Sequence, residues 1–204
     1  MPRRRATGVC TFAEASIRPV TDACIFWRAD WDASVLAAET LPVPRGDSDA
    51  FDIRRFEHLA TVLQCPGGHE HLLLSDGVHH LQMEVTAGSL LDGPVRFRYE
   101  LSGFKHIEAK ALTLRRLLQL HRFGRFPRGL YPPERRARRW AMALQAYDAV
   151  QAGATHREIA AALFGEKVVK EDWRGRSDYL RLRVQRLLRM ADKLVNGGYR
   201  DLLR

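Results

Sequence analysis

Around Asp76-Gly77, apolar and polar residues alternate with a period of two. Leu72 and Leu74 precede the pair; Leu81, Met83 and Val85 follow it, separated by His80, Gln82 and Glu84. The alternation predicts strands over residues 70–75 and 78–86 with one buried and one wet face, and Asp-Gly is a preferred two-residue hairpin turn. Pairing across that turn puts Leu72 and Leu74 on the inner face with Leu81, Met83 and Val85. Further short strands, bounded by Gly, Pro and Asp, are predicted over residues 23–28, 34–38 and 94–101.

The period changes in the second half. Leu114, Leu117 and Leu118 recur at helical spacing within residues 107–122. A second amphipathic helix is predicted over residues 133–152 on a stripe of Ala137, Trp140, Ala141, Leu144 and Tyr147, with Pro133 as its first residue. Thr155 and Glu158 have the spacing of a capping box, which predicts a third, short helix ending near Phe164-Gly165. After a connection of about a dozen residues, the fourth helix is capped by Ser177. It carries Leu180, Val184, Leu187, Leu188, Ala191, Leu194 and Val195 at helical period up to Gly197-Gly198. The fold class is α+β: a small antiparallel β domain followed by a helical bundle with an extended helix-turn-helix. The expected division is a basic N-terminal segment (1–22), the β domain (23–106) and the helical domain (107–204).

Charge sharpens that division. The chain of 204 residues has a formal net charge of +9, yet residues 1–106 sum to −3 and residues 107–204 to +12. Most of the basic residues in the second half are arginines, whose planar fork suits phosphates and guanine edges. A polyanionic partner is one reading; a solvated basic surface is the other. Cys10, Cys24 and Cys65 are odd in number and lack Cys-x-x-Cys spacing, so neither a disulfide framework nor a cysteine zinc site is indicated. With no apolar run near the roughly 20 residues that span a bilayer, a soluble cytoplasmic protein is expected.

The apolar stripe of the fourth helix leaves Asp178, Leu182, Gln185, Arg186, Arg189 and Lys193 near the opposite face, with Arg181 and Arg183 on the flanks. A helix held by one side while presenting Gln and Arg from the other has the layout of a recognition helix; a solvated charged helix is the alternative. Arg174 and Arg176 in the preceding connection, and Arg135, Arg136, Arg138 and Arg139 at the start of the second helix, are expected to hold phosphates. Those four arginines oppose the helix dipole, which an anion would compensate; Glu134 and solvent are the competing explanation. Trp173 is expected in the core. His69, His71, His79, His80 and Cys65 lie close in sequence, but the hairpin register keeps them from converging, and no metal or cofactor is expected. No phosphate-cradling glycine loop, nucleophile elbow or paired carboxylates point to an enzyme. Arg3, Arg4 and Arg5 are either a minor-groove arm or a loose tail.

Four stretches carry a family resemblance: residues 125–140 (RFPRGLYPPERRARRW), 157–165 (REIAAALFG), 172–183 (DWRGRSDYLRLR) and 197–203 (GGYRDLL). They resemble a proteobacterial domain long called of unknown function and later named a type VI secretion-system transcription factor DNA-binding domain. Looser similarity reaches back through residues 26–28, 71–77 and 93–99, so the resemblance covers residues 25–204. It implies a bacterial transcriptional regulator, often encoded on mobile elements, whose helix-turn-helix binds promoter DNA. For some members it implies instead an antiactivator that binds another regulator. Longer relatives have a further small domain in front, of which residues 1–22 are at most a remnant. The expected partners are double-stranded DNA and, in the alternative, another transcriptional regulator or RNA polymerase; a homodimer would read paired half-sites.

Overall fold

The computed structural model describes residues 11–12, 24–173 and 178–202. The described residues fall into two compact units that divide between Pro132 and Pro133.

The first unit is built on strands β1 (Thr11–Phe12), β2 (Ile25–Phe26), β3 (Leu36–Pro42), β4 (Ala60–Gln64), β5 (Glu70–Ser75), β6 (His80–Ala87) and β7 (Val95–Tyr99). The hairpin of β5 and β6 is antiparallel, with Leu72 opposite Met83 and Leu74 opposite Leu81, and all four side chains are buried. Its connection has four residues, not two. The Asp76 carboxylate accepts from the amides of Val78 and His79, which closes a longer turn in which Gly77 takes the positive φ.

The five-stranded sheet runs β4-β5-β6-β3-β7. All its pairs are antiparallel except β3 with β6, which is parallel. β4 was not anticipated, because Ala60–Gln64 mixes small and apolar residues without strict alternation. The outer face of the hairpin is not wholly wet either. Gln82 is buried there because its side-chain amide exchanges hydrogen bonds with the backbone of Trp27, and Phe26 packs on Leu63 and Leu73 beside it.

Helix α1 (Ile107–Phe123) packs on the inner face of the sheet, where Leu117 and Leu120 join Leu36, Leu72, Phe51 and Phe56 in one core. The Thr113 hydroxyl donates to the Ser34 carbonyl at 2.7 Å, and the His121 ring lies 3.1 Å from the Ala50 carbonyl. The change of period at residue 107 therefore marks where helices begin, whereas the compact units divide later, between Pro132 and Pro133.

The second unit contains α2 (Ala137–Gln151), α3 (His156–Phe164), α4 (Glu166–Asp172) and α5 (Tyr179–Val195), followed by a 3-10 turn over Gly198–Leu202. The α3 capping box forms: Thr155 accepts from the Glu158 amide, and the Glu158 carboxylate accepts from the Thr155 amide. Leu180, Val184, Leu187 and Ala191 of α5 are buried against Ala143, Ala146, Ile159, Ala160 and Val169.

Three expectations for this unit are corrected. The buried face of α2 is Ala143 and Ala146, while Ala137, Ala141 and Leu144 are exposed, Leu144 by 41%. α2 meets α5 through small residues, and of the expected stripe only Trp140 and Tyr147 are half-buried, Tyr147 against the same core. The helix also starts at Ala137 rather than Pro133, because Glu134 accepts from the Arg136 amide at 2.8 Å and holds a turn ahead of it. The long connection before α5, in turn, is mostly helix: α4 follows directly on Gly165, buries Val169 and brings Trp173 against the core, partly buried. Ser177, Arg174, Arg176 and Arg3 to Arg5 lie outside the described residues.

Candidate nucleic-acid interface

With Leu180, Val184, Leu187 and Ala191 committed inward, helical geometry distributes the remaining side chains of α5 over three strips. Leu182, Arg186, Arg189 and Lys193, at spacings of three and four, face outward and are exposed. Arg181 and Gln185 form one flank. Arg181 makes an ion pair with Asp178 at 3.2 Å and lies over the Trp173 ring at 5.9 Å, and Gln185 is half-buried. Tyr179, Arg183 and Arg186 follow the i, i+4, i+7 spacing along the other flank.

That second flank opens onto a cleft of about 580 Å³ within the helical unit. Arg135, Arg138 and Arg139, from the start of α2, line it together with Arg183 and Arg186 of α5. Met142, Leu163, Phe164, Tyr179 and Leu187 supply its apolar surface. None of the five arginines forms an ion pair with a carboxylate among the described residues, in contrast to Arg181. The Arg183 guanidinium sits over the Phe164 ring, 4.1 Å from its centroid, which restrains a long side chain without neutralising it. At the start of α2 the one carboxylate beside these arginines is that of Glu134, which accepts from the Arg136 amide and forms no ion pair with them among the described residues.

Two sets of residues that sequence reasoning held apart are thus brought together: Arg186 joins Arg135, Arg138 and Arg139 in one cleft. Arg136, at the N-cap of α2, is exposed outside it, and Arg189 and Lys193 extend the outward strip. Sequence reasoning missed the part played by Arg183 and Phe164. The i, i+4 relation of Tyr179 to Arg183 was visible; the meeting of α3's last residue with α5 was not.

Among the described residues no three His, Cys, Asp or Glu side chains are grouped to hold a metal ion. His71 stands opposite Glu84 on the strands, and the His79 ring is held by Asp76 at 3.0 Å in the turn. Among the described residues no helix is long and apolar enough to cross a membrane.

No protein with a curated description matches the chain. A family model does: the one described as T6SS, Transcription factor, DNA binding domain, over residues 102–204, which takes in α1 and the whole helical unit. The match spans more than half of the sequence and includes every arginine of the cleft, and the chain belongs to this family of DNA-binding transcription-factor domains.

Proposed function

We propose that the protein binds double-stranded DNA in a sequence-specific manner to control transcription, with α5 as the recognition helix. Arg186, Arg189 and Lys193 on its outward strip, flanked by Arg181 and Gln185, face the major groove. Arg135, Arg136, Arg138 and Arg139, with Arg174 and Arg176 of the segment before α5, hold backbone phosphates. The observation that carries this reading is the meeting, beside one exposed helical strip, of arginines from the start of α2 and from α5 that have no carboxylate partner among the described residues. Phosphate contacts fix position, and base-edge contacts from a groove-bound helix supply sequence preference.

Selection of random duplex DNA by the purified protein at near-physiological salt tests it. Enrichment of a defined motif is the expected outcome. Duplex retained without any motif would remove sequence specificity. If no duplex is retained, the exposed Tyr179 and Leu182 on the basic face favour a second reading, in which α5 docks on another transcriptional regulator, since tyrosine and arginine are enriched at protein interfaces.

A further inference from the structure

We propose that the arginine cleft binds a small, multiply charged phosphate ester, of the nucleoside polyphosphate class, and that this ligand competes with duplex DNA. The competitive half rests on the DNA-binding reading above; the binding half does not.

The shape of the cleft separates the two ligands. Duplex DNA is stiff over about 150 base pairs, so it crosses the rim of a depression and does not bend into it. Leu187 and Phe164 in the cleft are therefore out of its reach, whereas about 580 Å³ lies within the range of small-molecule sites. The charge fits phosphate. Five guanidiniums without a carboxylate partner among the described residues line the cleft, and no acidic residue lines it to receive a cation. Arginine forks pair with phosphate oxygens through two parallel bonds. A single phosphate monoester carries about two negative charges at neutral pH, so it engages only part of this cation set, and a di- or triphosphate engages more of it. Arg183, already held over Phe164, loses less freedom on gripping such a group. Met142, Leu163 and Leu187 beneath the arginines offer the base and ribose an apolar surface that inorganic polyphosphate cannot use.

The consequence is regulatory. A ligand that engages Arg138, Arg139 and Arg186 withdraws them from backbone and groove, so occupancy lowers affinity for DNA.

The test is calorimetry on the full chain at near-physiological salt without divalent cations, with ATP and pyrophosphate as probes. ATP is expected to bind one per chain, at least tenfold more tightly than pyrophosphate. Arg139→Gln and Arg183→Gln, each confirmed as folded by its melting curve, are expected to weaken ATP tenfold or more. Arg189→Gln and Lys193→Gln, on the outward strip, should leave it within twofold. Absence of saturable ATP binding overturns the proposal, as does an equal loss in all four variants, which would mark undirected attraction to a basic helix. Equal affinity for pyrophosphate overturns the nucleoside assignment. Added ATP is expected to release a DNA duplex that the protein retains; ATP binding without release overturns competition alone. If no duplex is retained in the absence of nucleotide, the DNA reading fails and competition falls with it, while calorimetry still decides the cleft.

Discussion

Gly88 stands where β6 leaves its parallel partner β3, at a φ of +82°, and a Cβ there would run into the Thr40 hydroxyl and carbonyl oxygens. The Thr40 hydroxyl is itself engaged, donating to the Ala87 carbonyl at 3.1 Å, so it cannot swing aside without loss. Positive φ and crowding together make Gly88→Ala costly, by about 3 kcal/mol, read as a lower midpoint in urea. His71 behaves differently. Its Nδ1 is buried with no hydrogen-bond partner among the described residues. Burial holds the imidazole below the ordinary histidine pKa of 6.5, against the pull of Glu84 and with a smaller push from His69. The ring is therefore neutral in the folded chain at a pH where the unfolded chain already binds a proton. Stability is complete above pH 6.5 and falls as pH drops below it, by at most about 1.4 kcal/mol per pH unit, until the folded form also protonates. Urea titrations at pH 7 and pH 5 should show this loss. His71→Phe, which keeps a ring beside Phe26, should reduce it, leaving the share of His80, whose pKa burial also lowers; an unchanged slope would assign the pH dependence to other groups.

Among the elements, those with one dominant physical signal were legible in the sequence. The β5–β6 pairing, the Thr155–Glu158 capping box and the buried stripe of α5 each follow from local spacing. β4 pairs with its neighbour β5, yet Ala60–Gln64 lacks the alternation that would announce a strand, and the parallel pairing of β3 with β6 depends on contacts distant in sequence. The buried face of α2 was misjudged because close helix approach selects Ala143 and Ala146 over larger side chains. The seven residues of α4 are too few for periodicity to declare itself, so the sequence shows only a connection there. For the candidate site, residue type was legible and juxtaposition was not: the arginines of α2 and α5 are about 50 positions apart and meet only because the two helices pack directly on one another. The proposed division of labour along α5 has a direct consequence. Arg189→Ala should relax preference for a selected motif, each good base contact being worth about 1–3 kcal/mol, whereas Arg138→Ala should weaken all duplexes alike. Competition binding with motif and scrambled duplexes separates the two. Equal losses on both duplexes from Arg189→Ala would remove α5 as the reading element.

For the whole molecule the deciding property is the segregation of charge, −3 over residues 1–106 against +12 over residues 107–204. A duplex releases counterions for each phosphate that a cation neutralises, so the logarithm of affinity falls with the logarithm of salt at a slope of about −0.9 per contact. Six contacts or more imply a loss of roughly a thousandfold between 50 and 200 mM salt. In the proposed assignment Arg135, Arg136, Arg138 and Arg139, with Arg174 and Arg176 of the segment before α5, are enough to supply that number from the helical unit alone. Removing the charges of Arg138 and Arg139 together should therefore reduce the slope by about two, since each phosphate contact counts for about one. Substituting Arg54 and Arg98 should leave it unchanged. These arginines belong to the sheet unit and are already paired, Arg54 with Asp52 at 2.6 Å and Arg98 with Glu39 at 2.9 Å, so they have little charge to exchange for a phosphate. Fluorescence anisotropy of a labelled duplex over a salt series measures all of these slopes. A slope near zero in the unaltered protein, or equal reductions in both pairs of variants, would show that binding does not run through the arginines of the helical unit.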